Sequence, residues 1–141
     1  MHWAMSYIGK RWEKGATGPE TFDCRGMTYD VQLRVYGRVV PWFEIPVADT
    51  PEFRRALNDL CRRSNWHRQP DGCQEADGDI VVIGTPDGPH VGVAIEADGD
   101  VGLLHCVGTV EAPEDVRFTP MDDIRFTYGP YEVWRHVEGV A

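Results

Sequence analysis

The chain has 141 residues, 42% hydrophobic and 26% charged, with a formal net charge of −9. That length fits one domain, 1–141, with a sizeable core, and the composition is that of a globular protein. The acidic balance disfavours nucleic acid as a partner, because phosphate backbones need a concentrated basic surface, and no window approaches the ~20 apolar residues that membrane insertion requires.

The opening stretch MHWAMSYIGK has neither a basic n-region nor an apolar h-region, so no signal peptide is expected. The next stretch, GPETFDCRGMTYDVQLRVYG, passes from turn residues into a helical pattern at Cys24. Met27, Val31 and Val35 follow an i, i+4, i+8 rule and Gly37 is placed to stop the element, which predicts a helix over 24–36. A cysteine in the first turn faces unpaired N–H groups and the positive end of the helix dipole, which favour thiolate over thiol. The same N–H groups can hold the oxyanion of a tetrahedral intermediate. Set against this, a cysteine at a helix start is also a common small core hydrophobe.

In PWFEIP, Trp42 and Phe43 are core residues or contact points for a partner. Thr50-Pro51-Glu52 reads as a second helix start, with a cap, an early proline and an early acid. Its core stripe is Phe53, Ala56, Leu57, Leu60 and Cys61, which makes Cys61 a core filler. Arg54, Arg55, Arg62, Arg63 and Arg68 read as the solvated face of that helix rather than a nucleic-acid patch. His67, Cys73 and the charged residues of the 58–77 segment receive no role.

From Gly78 onward the period changes to two. DIVVIG, HVGVAIEA and VGLLHCVG read as consecutive antiparallel strands, separated by the turns TPDGP and DGD. VRFTP, DIRFTYG and YEVWRHV add weaker strand signals, for five or six strands in one sheet and an α+β order overall. His90 and His105 lie on neighbouring strands, where one imidazole can orient the other, so that with Cys24 they form a Cys-His-His arrangement. A histidine at a strand end is often structural; it is the joint occurrence of the three that points to chemistry. Cys24, Cys61, Cys73 and Cys106 form no CxxC pair, so neither a zinc ribbon nor a disulfide framework is suggested and free thiols are expected. A zinc set of His90, His105 and Cys106 conflicts with alternation along a strand, and no metal or cofactor is expected.

Asp23-Cys24-Arg25-Gly26, Gly78-Asp79, His90-Val91-Gly92-Val93 and Leu104-His105-Cys106 occur in the order of the DCSG, GD, HVGI and IHA motifs. On these four motifs the chain resembles the NlpC-type cysteine peptidases, papain-like hydrolases of bacterial cell-wall peptides, over most of its length. GPETFDC, with a tryptophan before a glycine-rich segment, is most similar to the stand-alone branch found in the tails of tailed phages. The resemblance implies a circularly permuted papain-like fold, with N-terminal helices on an antiparallel sheet. It implies Cys24 as nucleophile, His90 as general base and acid, and His105 as the residue that fixes the tautomer of His90. Peptidoglycan stem peptides are the implied substrate, cut between γ-D-glutamate and a diamino acid. Asp23 would help to recognise the amino end of the stem peptide. Trp12 stands where the family has a site-lining tyrosine, with Tyr7 as the alternative, and its N–H cannot replace an acceptor hydroxyl. Arg25 replaces the usual serine and places a cation beside the thiol, able to lower its pKa or bind a substrate carboxylate. The resemblance also implies a virion location, made in the host cytoplasm, with other phage tail proteins as partners. The alternative is a structural or assembly component of the tail that keeps the fold with little or masked activity.

Overall fold

The computed structural model describes residues 2–40, 51, 52, 55, 59, 64–86 and 88–137. A short 3-10 helix, Trp3–Ser6, precedes β1 (Arg11–Trp12), β2 (Thr21–Phe22) and α1 (Cys24–Arg34). Then follow β3 (Trp66–Arg68), β4 (Ile80–Thr85), β5 (Gly88–Ala97), β6 (Asp100–Gly108), β7 (Pro113–Pro120), α2 (Met121–Tyr128) and β8 (Tyr131–His136). The strands form one sheet of eight in the order β2-β1-β7-β6-β5-β4-β8-β3. The α+β class holds, with eight strands rather than five or six. Those the pattern missed, β1, β2 and β3, are two or three residues long, too short for a period of two to register.

The helix expected over 24–36 ends at Arg34, and Met27 and Val31 are its buried stripe. They pack on Val93, Ile95, Leu104, Cys106 and Val116, one face of the β5–β6–β7 meander. Each such side chain contributes roughly 1.5–3 kcal/mol by leaving water. The helix expected from Thr50 falls largely outside the described residues, as do Cys61, Trp42, Phe43 and all of the basic cluster except Arg55 and Arg68. Arg68 lies on β3 rather than on a helix.

One element changes type. DIRFTYG was expected to be a strand, but Met121–Tyr128 is helical. Met121 and Ile124, at i and i+3, are buried against Val81, Ile83, Ala94 and Leu103 on the sheet face opposite α1. Asp122 and Asp123 meet the positive end of the helix, and Arg125 pairs with Asp122 at 2.7 Å. Phe126, which completed the apparent alternation with Ile124 and Tyr128, is 92% exposed.

The sheet is therefore covered on both faces, which explains why DIVVIG and VGLL read as nearly continuous apolar runs. At the start of β4, Asp79 is buried and takes a two-pronged ion pair from Arg135 of β8, at 2.8 and 2.9 Å. The aspartate of the GD motif thus ties two strands together. No helix among the described residues is long and apolar enough to cross a membrane.

Candidate active site

Cys24 is positioned by the residues on either side of it. Asp23 caps α1, its Oδ1 accepting the Gly26 N–H at 2.6 Å and its Oδ2 the Gly15 N–H at 3.1 Å. Asp23 thus fastens the helix start to the loop. The Asp23 N–H donates to the Ala16 carbonyl at 2.9 Å. Gly26 passes so close to that loop that a Cβ there would lie 2.1 Å from the Ala16 oxygen, so only glycine fits. That contact explains the last residue of the DCRG motif.

Cys24 is partly buried and packs against the cluster of Val40, Trp66, Ile80, Val91 and Trp134. Burial, helped by the Asp23 charge, pushes its pKa above the ordinary thiol value, opposed by a hydrogen bond from the Val91 backbone and by the charge and backbone of Arg25. The expectation from the helix start alone was a lowered value. Desolvation of the thiolate outweighs it.

His90 and His105 come together as expected. His90 Nε2 lies 2.7 Å from His105 Nδ1, and His105 Nε2 lies 2.9 Å from Thr119 Oγ1. Gly92, two residues after His90 on the same face, provides the room: a Cβ there would sit 2.9 Å from His105 Cβ and 2.8 Å from the Leu104 oxygen. Tyr128 of α2 stacks on the His90 ring. Burial holds His90 down to about 4. Burial, helped by His90 and Arg117, holds His105 down to about 3. Both rings are therefore neutral at pH 7.

The strand register places the thiol and the imidazoles on different sides. His90 is opposite Ile83, which lies under α2, whereas Val91 is opposite Val82, and Val82, Val91 and Cys24 pack together on the α1 side. The polar partners of the imidazoles are each other and Thr119; those of the thiol are backbone groups of Val91 and Arg25. The structure thus assembles the histidine pair and brings the thiol to the residue next to His90, with the β5 backbone between them.

The remaining expected residues sit around this centre. Trp12 is half-buried on the α1-side core, its ring against Gly108. Tyr7 is committed to Asp30, to which its hydroxyl donates at 2.7 Å. Cys106 faces α1, donates to the Phe22 carbonyl at 3.2 Å, and is pushed up to about 12 by burial and then by charge at Cys24. Since His105 faces α2, the two cannot share one ion. A groove of about 700 Å³ opens along β4 and β8 and reaches Pro89, the neighbour of His90, without touching Cys24. Glu75 lines it, with Arg125 at 2.8 Å and the Tyr131 hydroxyl donating to it. Thr119 and Tyr128 are the residues that sequence reasoning missed; nothing in VRFTP or DIRFTYG marked them, because their roles depend on register and on α2.

No family model matches the sequence, and no curated protein matches it. Solved structures do. The NlpC/p60 domain of the peptidoglycan hydrolase SagA is 23% identical, over 92% of this chain and 91% of that one, with a TM-score of 0.55. The chain has the NlpC/p60 fold. NlpC2 and NlpC1 from Trichomonas vaginalis are 19% and 20% identical, both with a TM-score of 0.57 and both covering 94% of this chain. This chain spans 45% and 42% of those proteins. At such identities the likeness concerns the fold; the placement of the DCRG turn and of the HVGV strand within an NlpC/p60 fold is what guides the functional reading.

Proposed function

We propose that the chain is a cysteine peptidase that hydrolyses amide bonds of peptidoglycan stem peptides. The observation that carries this reading is the capped thiol at the start of α1, hydrogen-bonded by Val91 next to a His90–His105–Thr119 chain. In this reading the unshared Nδ1 of His90 takes the Cys24 proton, which requires the start of β5 to turn the His90 ring towards α1 as substrate binds, since the free protein holds the two on opposite faces of the sheet. The sulfur attacks the amide carbonyl and the oxyanion develops at the Cys24 backbone N–H, the Gly26 and Met27 N–H groups being held by Asp23. His90 then protonates the leaving amine, and water, deprotonated by the same ring, hydrolyses the thioester. Trp12, Asp23 and Arg25 are the proposed substrate contacts, and the γ-D-glutamyl–diamino acid bond is the proposed target. Carriage in a phage tail belongs to the same proposal and rests on the sequence likeness of GPETFDC.

A second reading, a tail assembly component with little or masked activity, is favoured by one observation: thiol and imidazoles face opposite sides of the sheet. One experiment separates the two. Purified peptidoglycan is digested with the wild type and with Cys24→Ala, and the soluble products are read by mass spectrometry. Peptides released only by the wild type, with new ends at γ-D-glutamate, are the expected result. Equal release by both proteins, or release by neither from several wall types, overturns the peptidase reading.

A further inference from the structure

The chain of hydrogen bonds does not stop at His105, and its last member bears on the peptidase reading above, on which this inference rests. Two proton orders fit the distances of 2.7 and 2.9 Å. In one, the Thr119 hydroxyl donates to His105 Nε2, His105 Nδ1–H donates to His90 Nε2, and the His90 proton sits on Nδ1. In the other, every proton shifts along and Nδ1 of His90 is bare. Only the second leaves His90 able to accept the thiol proton.

Protonation breaks the symmetry between them. Once His90 carries both protons, its Nε2–H needs an acceptor, and the atom at 2.7 Å is His105 Nδ1. His105 then stays neutral with its proton on Nε2, aimed at Thr119 Oγ1 at 2.9 Å. Arg117, paired across the sheet with His105 in register, opposes a positive charge on that ring. The groups that face the pair are therefore Arg117 and Thr119 from β7 and Tyr128 from α2, the last stacked on His90.

We propose that Thr119 is a positioning residue: its hydroxyl oxygen accepts the Nε2–H of His105, keeps Nδ1 of His105 bare for His90, and so selects the tautomer in which His90 is a base. It acts through His105 and touches no reacting atom. The hydroxyl proton is left to donate to solvent, since Thr119 is only partly buried.

The test compares Thr119→Val, which keeps the shape and removes the hydroxyl, with Thr119→Ser, which keeps the hydroxyl. Nitrogen-15 spectra of the histidine rings read tautomer and titration directly, and muropeptide turnover is followed in parallel. In the wild type and in the serine variant both rings are expected to carry their proton on Nε2. In the valine variant His105 loses that preference, His90 titrates at a lower pH than in the wild type, and kcat falls roughly 10- to 100-fold with KM little changed, as for other supporting groups that orient a reactive histidine. A valine variant with wild-type tautomers and wild-type His90 titration overturns the proposal. A wild type that turns over no muropeptide defeats the peptidase reading instead, and the ring spectra still decide the role of Thr119.

Discussion

At Cys24 two influences oppose each other. The helix start, the Val91 hydrogen bond and Arg25 favour the thiolate, while burial and the neighbouring Asp23 carboxylate favour the thiol, and burial dominates. The resting site thus holds a protonated thiol and neutral imidazoles, with the ion pair formed only when His90 and the sulfur meet. Alkylation of Cys24 by iodoacetamide, followed by mass spectrometry, is expected to be slow at neutral pH and to rise only above the ordinary thiol value of 9. A rate already on its plateau at neutral pH would show that an imidazole holds the proton in the free protein and that this account of the resting state is wrong. Cys24, His90 and His105 were legible in the sequence because each sits in a short motif whose neighbours have steric reasons to be there, Gly26 beside Cys24 and Gly92 beside His90. Thr119 was not legible, since its hydroxyl acquires meaning only from the register that sets Arg117 opposite His105 and leaves Thr119 diagonal to it. The opposed faces of thiol and imidazoles were likewise invisible, because the pattern shows alternation but not which face receives α1.

α1 is held at its N-terminus by a loop rather than by its own propensity, and this governs how firmly the thiol is placed. Asp23→Ala removes the cap of α1 and the partner of the Gly15 N–H together, and is expected to cost about 1–2 kcal/mol. Gly26→Ala is expected to cost more, because the atom met at 2.1 Å is a backbone oxygen and the loop itself must move. Urea midpoints rank the two variants. A Gly26→Ala protein as stable as the wild type would mean that the loop yields freely and that the close approach does not fix Cys24. The same element shows what pattern reasoning can do. α1 could be read from Met27 and Val31, and β4 to β6 from apolar runs between DG turns. α2 could not, because a helix with only Met121 and Ile124 inward, and an exposed Phe126 that mimics alternation, offers a period of two as readily as one of 3.6.

Across the whole molecule the histidine pair has a consequence that reaches beyond catalysis. His105 is buried in the sheet and His90 is half-buried beside Tyr128 of α2, and both stay neutral when folded, His90 down to about 4 and His105 down to about 3, whereas in the unfolded chain each titrates near 6.5. Between these values the unfolded chain binds protons that the folded protein refuses, so stability rises with pH through that window and is lost as pH falls below 6.5. Glu75 acts in the same direction but lower on the scale. Burial raises its pKa, the Tyr131 hydroxyl and Arg125 more than offset that, and the net value lies below the ordinary 4.5, so its contribution is present above 4.5 and is lost as pH falls through the lowered value. The two sources are separable because the windows differ. Urea midpoints of the wild type are expected to fall steadily as pH drops from 6.5 towards about 5.5, a range in which His90 and His105 respond and Glu75 stays almost fully ionised in both states. A His90→Gln, His105→Gln double variant is expected to be less stable at neutral pH, because it loses the ring contacts, yet nearly flat across that range. If the double variant keeps the wild-type slope, the acid sensitivity resides in other groups, and the two imidazoles are not the neutral pair on which the proposed chemistry depends.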